Sequence, residues 1–274
     1  MGANNFSGFS ENLFLPISQL SALDVSFNNL SNIDFLNSFT RLNYLTLSRN
    51  PLILLNETMF NMFSFSSTLN YLDLSYNQYN NLPVDLFKGF TNLQQVILSN
   101  NFINYIDEKF FYELSHLLYL DLSSNNLTSL NETTFICNQM LGQLYLNKNK
   151  LASLNATTFS NLISLSYLEL SSNLLATLPG DLFKGLSLLQ YLGLSSNILI
   201  TLNTNTFFNL IQLTQLHLES NQFDIESESA LINAFSLINN VFTVYIYMDG
   251  NSIYDSTSDK HVLCGNNTNC LIYY

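Results

Sequence analysis

Charged residues are scarce in this chain, and the basic ones are scarcer than the acidic ones. Asp, Glu, Lys and Arg make up 10% of the 274 residues, and 8 basic side chains against 20 acidic ones give a net charge of −12. Binding to nucleic acids or to anionic membranes depends on Lys and Arg that neutralise phosphates. The composition therefore disfavours those partners. It suits a protein or peptide that carries some positive charge, and the alternative is that the acidic surface serves solubility alone.

Long apolar runs are also missing. No stretch approaches the 18 or more apolar residues of a transmembrane helix, and the longest candidate, 241–248, contains Thr243. The first ten residues, MGANNFSGFS, lack the basic and apolar segments of a signal peptide. We therefore expect no direct membrane insertion by this segment.

A repeat dominates the sequence instead. The pattern Leu-x-x-Leu-x-Leu-x-x-Asn-x-Leu recurs along the chain, and between residues 77 and 221 its Asn is spaced by 24 residues six times in succession. Such a sustained period predicts a solenoid, in which each repeat is one coil that packs against its neighbours. The repeated asparagines are Asn28, Asn50, Asn77, Asn101, Asn125, Asn149, Asn173, Asn197 and Asn221, with Asn251 at a looser spacing.

The positions within one repeat, counted from this Asn, predict the path of the coil. The leucines at −5 and −3 alternate with period two, which is typical of a short strand with one buried face. The rest of the repeat must then cross back to start the next strand in parallel. Apolar residues mark that return, and we expect the Phe at +10 to form a stacked column. These rings are Phe60, Phe87, Phe111, Phe135, Phe159, Phe183 and Phe207.

We interpret the nine repeated asparagines as structural residues. A short amide that points inward can bond the backbone of its own coil and of the next one. Leaving such buried groups unpaired costs about 1–3 kcal/mol each.

One irregular repeat, from Asn221 to Asn251, also places Leu231, Phe235 and Ile238 on one helical face, which predicts a short helix there.

Side chains at −6, −4 and −2 alternate with the buried leucines and are predicted to point outward. Tyrosine recurs at −6 and carboxylates at −4, while Gly193 at −4 leaves a dent. Tyrosine offers contact area with a polar tip, and carboxylates suit a basic ligand. The alternative is that these tyrosines only stack along the sheet. The candidate ligand-binding residues are Tyr44, Tyr71, Asp73, Gln95, Ile97, Tyr119, Asp121, Gln143, Tyr145, Tyr167, Glu169 and Tyr191.

No set of residues predicts catalysis, and we expect no enzyme, no cofactor and no metal site. The histidines at 116, 217 and 261 lie in different repeats or in the tail. Asp73, Asp121 and Glu169 face the same way, but their strands are about 10 Å apart at a strand spacing of about 4.8 Å. That distance is too wide for these carboxylates to share one metal ion.

The repeat resembles the leucine-rich repeat family in its 24-residue extracellular form. The pattern with Phe at +10 is similar to the repeats of Toll-like receptor ectodomains and small leucine-rich proteoglycans. The resemblance covers about residues 1–253, with ten to eleven repeats, the first one truncated. It implies an α/β solenoid with a curved parallel β-sheet on the concave side, irregular turns and short helices on the convex side, and low helix content. Residues 254–274 are expected to form a C-terminal tail or cap. One scaffold of this kind supports many functions.

Two cysteines bear on the cellular compartment. Cys264 and Cys270 bracket a turn-rich segment, where a disulfide is sterically easy and would add about 2 kcal/mol. The alternative is two free thiols in a reducing compartment. Seven Asn-x-Ser/Thr glycosylation sequons occur, but a chain this rich in Asn, Ser and Thr contains about that number by chance.

The resemblance and the outward face together predict a protein-binding recognition module. We expect an extracellular or cell-surface protein, as part of a receptor or adhesion protein that takes a protein or peptide ligand on its concave face. An intracellular repeat scaffold and the recognition arm of a larger receptor enzyme are the alternatives. Because Met1, Asn4 and Phe6 already occupy repeat positions, we also expect the chain to be a fragment.

Overall fold

The computed structural model describes residues 4–52, 63–223, 243–251, 262–263 and 270–273. The chain forms two compact units. The first comprises Met1–Leu127 and Thr133–Leu141, and the second comprises Thr128–Glu132 and Gly142–Tyr274. In both units each repeat contributes one short strand, so the parallel sheet and the solenoid predicted from the repeat are confirmed.

The first unit contains five strands of three residues each. Every strand pairs in parallel with the next, and the leucine or valine at −5 lies beside its equivalent, as in Leu45↔Leu72 and Leu72↔Val96. Two short 3₁₀ helices, Glu11–Ile17 and Asp34–Ser38, lie in the connections. The strands are β1 (Ala22–Asp24), β2 (Tyr44–Thr46), β3 (Tyr71–Asp73), β4 (Gln95–Ile97) and β5 (Tyr119–Asp121).

The second unit has the same arrangement, with longer strands at its end. One 3₁₀ helix, Thr204–Phe207, lies before β9. The last strand pairs in parallel with β10, and the short strand before it runs antiparallel to it. Segment 254–274 thus contributes two strands. The strands are β6 (Gln143–Tyr145), β7 (Tyr167–Glu169), β8 (Tyr191–Gly193), β9 (Gln215–His217), β10 (Val244–Tyr247), β11 (Val262–Leu263) and β12 (Cys270–Tyr273).

The burial pattern of the strands follows the period of two. In β3, β5 and β7 the central leucine is buried and the residues on either side are half-buried. Leu72, Leu120 and Leu168 have no exposed surface. Because successive strand residues point to opposite faces, the leucines fill the core and the residues at −6 and −4 form the other face of each strand. Helix is confined to the three 3₁₀ helices in the described residues, in agreement with the low helix content expected.

Phenylalanine rings fill the opposite side of each core. In the first unit the centroids of Phe87 and Phe111 are 6.3 Å apart and those of Phe111 and Phe135 are 6.0 Å apart, with nearly parallel planes. In the second unit Phe183 lies 6.4 Å from Phe159 and 6.3 Å from Phe207. All of these rings are essentially buried. The predicted stacking of these Phe rings is confirmed within each unit for the described residues, whereas Phe60 lies outside them.

A left-handed residue precedes the repeated Asn in every described coil. Its φ lies between 53° and 56° at nine non-glycine positions, and Gly250 has a φ of 71° before Asn251. This conformation turns the chain away from the strand and brings the next side chain, the Asn, back toward the core. The positions are Phe27, Arg49, Tyr76, Asn100, Ser124, Lys148, Ser172, Ser196 and Ser220.

Asn138 occupies the +13 position, where other repeats have an apolar residue. It is completely buried, and its Nδ2 donates to the carbonyl oxygens of Phe111 at 3.1 Å and Leu114 at 2.9 Å. Its amide nitrogen therefore satisfies two carbonyls of the preceding coil, whereas its Oδ1 is buried without a hydrogen-bond partner among the described residues. The predicted short helix at 231–238 lies outside the described residues. Cys264 and the side chain of Cys270 do so as well, and the predicted disulfide between them is therefore not described.

Candidate functional site

The repeated asparagines bond the backbone where the repeats leave their strands. In the second unit Asn173 Nδ2 donates to the carbonyl of Leu170 in its own coil at 2.9 Å and to that of Leu146 in the preceding coil at 3.0 Å. Asn173 Oδ1 accepts the backbone N–H of Leu151 at 3.0 Å. Each amide thus joins two coils where the chain leaves the strand, and all nine asparagines are 4–8% exposed. Their bonds link neighbouring coils, and their burial leaves almost no surface for a ligand.

The residues at −6 and −4 of the strands form what we call the strand face. In the first unit its best-defined contact is between Tyr44 and Tyr71, whose ring centroids are 4.3 Å apart with planes 10° apart. Tyr44 and Gln95 are exposed, whereas Tyr71, Ile97 and Tyr119 are half-buried. Burial, the carboxylate of Asp73 and the adjacent Tyr44 raise the pKa of Tyr71. At ordinary pH this part of the strand face therefore presents uncharged tyrosine beside carboxylates.

The carboxylates at −4 are tied to their own strands. Asp73 Oδ1 accepts the backbone N–H of Ser75 at 2.8 Å, and Asp121 Oδ1 accepts that of Ser123 at 2.9 Å. Both are Asx turns, in which an Asp side chain bonds the backbone two residues later. The Asp-x-Ser pattern in the sequence indicates these turns. The sequence-based prediction missed them, because it treated Asp73 and Asp121 only as outward-pointing candidates for ligand binding. The second oxygen of Asp73 accepts from Thr46 Oγ1 at 3.2 Å.

In the second unit aromatic rings run along the strand face in an unbroken series, which we call the aromatic ladder. Successive ring centroids are 4.9, 4.2, 5.1, 4.5 and 5.2 Å apart. These distances match the strand spacing of about 4.8 Å, because each ring comes from the next strand of the sheet. The ladder consists of Tyr145, Tyr167, Tyr191, His217, Tyr247 and Tyr273.

Stacking determines which part of each ring faces solvent. The planes of Tyr167 and Tyr191 are 5° apart, and those of His217 and Tyr247 are 9° apart, so the ring faces are turned toward one another. All six side chains are half-buried. A ligand on the ladder therefore meets ring edges, which carry the positive side of the aromatic quadrupole, rather than ring faces. The stacking offered as the alternative role of these tyrosines is present in the structure.

Glu169 is the most highly bonded carboxylate of the strand face. It accepts from the backbone N–H and the hydroxyl of Ser171, and its Oε2 accepts from the Tyr191 hydroxyl at 3.0 Å. Its side chain also lies over Gly193, where an added Cβ would collide with the carboxylate. The dent expected at Gly193 is thus filled, because glycine leaves the space that the Glu169 side chain occupies. Burial and then the Glu169 charge raise the pKa of Tyr191.

His217 links the ladder to a second carboxylate. Its Nδ1 lies 2.8 Å from Glu219 Oε1, and its ring lies between those of Tyr191 and Tyr247. The candidate site predicted from the sequence did not include His217, Tyr247 or Tyr273. The first two were detectable, because an aromatic residue occupies −6 or −4 in every strand from β6 to β10. Tyr273 was not, because its strand follows no recognisable repeat.

Other kinds of site are not found among the described residues. They contain no group of three or more His, Cys, Asp or Glu that could hold a metal ion. None of the described helices is long and apolar enough to cross a membrane. An open cleft of about 790 Å³ does lie on the turns of the first unit, lined by residues that include Val84, Asp85, Phe110, Tyr112 and Glu113. None of the predicted ligand-binding residues lines it.

Comparison with known proteins identifies the repeat. The family model described as Leucine rich repeat matches residues 91–151, 139–199 and 165–223. No match to a curated protein is found. Among solved structures, a leucine-rich repeat protein of Leptospira interrogans is 26% identical, with a TM-score of 0.76 over 88% of this chain and 59% of that chain.

Two further structures are similar in fold. A chain of the Toll–Spatzle complex of Drosophila is 19% identical, with a TM-score of 0.77 over 92% of this chain and 38% of that chain. A chain of the TLR13–ssRNA13 complex is 22% identical, with a TM-score of 0.66 over 92% of this chain and 50% of that chain. The sequence thus spans 38–59% of the length of these three proteins.

Proposed function

The chain is a leucine-rich repeat protein that resembles Toll-like receptor ectodomains, and we propose that it is a recognition module that binds a protein or peptide on its strand face. The observation that carries the proposal is the aromatic ladder of the second unit. Tyrosine is enriched at binding hot spots because it combines a large apolar area with a polar tip. Here five tyrosines and one histidine form one continuous series of rings on the strand face.

The ladder is also pre-organised for binding. Each ring is held by its neighbours at centroid distances of 4.2–5.2 Å, and the hydroxyl of Tyr191 is held by Glu169. Side chains that are already ordered lose little rotamer freedom when a partner docks, so less of the contact energy is consumed by ordering. This favours a contact surface made from the ladder over one made from the single exposed apolar side chains on the turns.

The charge of the strand face favours a basic protein over a nucleic acid. Of the two similar receptor structures, one is a complex with Spatzle and the other a complex with ssRNA13. Here the strand face of β6–β10 carries Glu169, and the adjoining −2 positions carry Glu219 and Asp249. Neither set of positions contains Lys or Arg. RNA binding depends on basic side chains that neutralise phosphates, whereas carboxylates attract Lys and Arg of a protein partner.

We place this module in a receptor or adhesion protein outside the cell or at its surface, in keeping with the resemblance to Toll-like receptors. We also propose that it has no enzymatic activity of its own. An intracellular scaffold and the recognition arm of a larger receptor enzyme are the alternatives. Titration of thiols in the protein isolated from its natural source separates the first two settings. A Cys264–Cys270 disulfide favours secretion, and free thiols at both positions favour the cytoplasm.

Peptide selection tests the binding surface with ligands drawn from a random library. The library is displayed on phage and selected against the whole chain, and affinities of the selected peptides are compared between variants. Tyr167→Ala and Tyr191→Ala should each weaken binding by about tenfold or more, as truncation of a hot-spot residue does. We expect the selected peptides to be enriched in Lys and Arg.

The control is a tyrosine on the turns of the first unit. Tyr112 is 57% exposed, more than any tyrosine of the ladder, and it does not lie on a strand. Tyr112→Ala should leave the affinities unchanged. Retained affinity in both ladder variants, with circular dichroism spectra like that of the unmodified protein, would refute the proposed surface.

A further inference from the structure

Arg49 is inserted between two aromatic rings at the edge of the first unit. Its Cζ lies 4.9 Å from the ring centroid of Phe27 and 3.7 Å from that of Tyr76. The three residues occupy the same −1 position of three consecutive repeats, and each has a left-handed backbone with φ of 53–55°. The shared turn therefore directs three side chains from adjacent coils to one edge, where they form a layered cluster.

The two rings hold the guanidinium group, and no carboxylate of the described residues neutralises it. Cation–π contacts on both faces hold the plane of Arg49 between the two rings and shield those faces from water. The N–H donors lie on the rim of that plane. Among the described residues no carboxylate forms an ion pair with Arg49. The ion pair found in the described part of the chain joins His217 and Glu219 of the second unit. Arg49 itself is exposed, and Phe27 and Tyr76 are 52% and 45% exposed.

We propose that Arg49, Phe27 and Tyr76 form a binding site for a single carboxylate, supplied by an Asp or Glu side chain of a protein partner. The guanidinium presents its donors in a fixed fork that matches a carboxylate with two parallel N–H···O bonds. Because the two rings already restrain the Arg49 side chain, binding loses little additional conformational entropy.

The surroundings of Arg49 favour one carboxylate over a polyanion. The nearest basic residues along the chain are Arg41 and Lys88, and the following −1 positions of the first unit are Asn100 and Ser124. Binding of a phosphate backbone relies on several cations in a row. A single fixed guanidinium beside neutral residues suits a single anionic side chain. The site lies outside the strand face, so it stands independently of the function proposed above.

Side-chain NMR tests this site directly. The chain contains two arginines, Arg41 and Arg49, so the Nε–Hε region of a proton–nitrogen spectrum contains two signals, assigned with Arg41→Lys and Arg49→Lys. Titration with a blocked tripeptide, acetyl-Gly-Glu-Gly-amide, should move the Arg49 signal in a saturable manner. Arg41, over which no ring lies in the described structure, should not respond. The same peptide with Gln in place of Glu should move neither signal.

Ring variants separate a binding site from a cluster that only stabilises the fold. Phe27→Leu and Tyr76→Leu retain Arg49 but loosen its plane, so the dissociation constant for the Glu peptide should rise about threefold to tenfold. Unchanged dissociation constants in both variants would overturn the proposal. So would equal shifts of both arginine signals, or tighter binding of inorganic phosphate than of the Glu peptide. Backbone spectra of the variants show whether the coils remain folded, and Tyr105→Leu, at an exposed ring outside the cluster, is the matched control.

Discussion

The left-handed residue before each Asn shows how single residues maintain the coil. A non-glycine residue in this conformation costs about 1–2 kcal/mol, yet nine described coils use one and only the last uses Gly250. The conformation persists because it places the following Asn where three backbone groups need hydrogen bonds. This constraint was not visible in the sequence, since Phe, Arg, Tyr, Asn, Ser and Lys all occupy the position.

Tyr79 provides a test at the residue scale. It occupies the +2 position that other repeats fill with an aliphatic residue or Phe, it is completely buried, and its hydroxyl has no hydrogen-bond partner among the described residues. Tyr79→Phe should therefore raise the free energy of unfolding by about 1 kcal/mol, because an unsatisfied buried hydroxyl is removed. Urea unfolding of the two proteins measures the difference.

The control for this prediction is Tyr105→Phe. Tyr105 is 57% exposed, so its hydroxyl is hydrated in the folded and unfolded states, and the stability should not change. A loss of stability in Tyr79→Phe would show that the hydroxyl has a partner after all.

At the scale of elements, the sequence predicted the strands well and their side-chain contacts less well. The alternation around Leu72 or Leu168 is sufficient to place a strand, because burial of one face is the main force on a three-residue strand. Whether the ring of a tyrosine at −6 stacks on another ring depends on the residues at −6 and −4 in the neighbouring coil. Tyr167 and Tyr191 stack because consecutive repeats both have tyrosine, whereas Tyr119 follows a repeat with Gln95.

Asn125→Leu tests the role of the repeated asparagines. Asn125 Nδ2 donates to the carbonyls of Leu98 at 3.0 Å and Leu122 at 3.1 Å, and its Oδ1 accepts the N–H of Ile103 at 3.0 Å. Leucine leaves these buried groups unpaired, so the free energy of unfolding should fall by about 3 kcal/mol or more. Asn104→Leu, at an exposed position of the same unit, should have little effect. Equal melting temperatures for the two variants would contradict this role.

Alkaline pH should destabilise the repeats through tyrosines that burial keeps protonated. The pKa values of Tyr71, Tyr79 and Tyr191 are raised, chiefly by burial. Unfolded tyrosine loses its proton near pH 10, so these residues contribute stability that is complete below about pH 10 and is lost as pH rises through their folded pKa values. Tyr191→Phe should make the decline in urea-measured stability between about pH 9 and about pH 11 less steep. An identical slope in variant and unmodified protein would show that the pKa of Tyr191 is ordinary.

At the scale of the whole molecule, one period of 24 residues determines most of what the sequence can predict. Each repeat buries its leucines only against its neighbours, so the fold class follows from local pattern and needs no long-range information. The two strands in segment 254–274 and the cluster around Arg49 escaped prediction, because the strands follow no repeat and the cluster occupies a variable position within it. The function likewise depends on the few outward positions where repeats differ, since the buried positions are nearly constant.

The proposed binding of a partner along the strand face is tested most directly by cross-linking. A selected peptide that carries a photoreactive benzophenone is irradiated in complex with the whole chain, and mass spectrometry locates the adducts. We predict adducts on the strand segments 143–147, 167–171, 191–195 and 215–219. Adducts confined to the turn segments 155–163 and 179–188, with none on the strands, would contradict this binding mode.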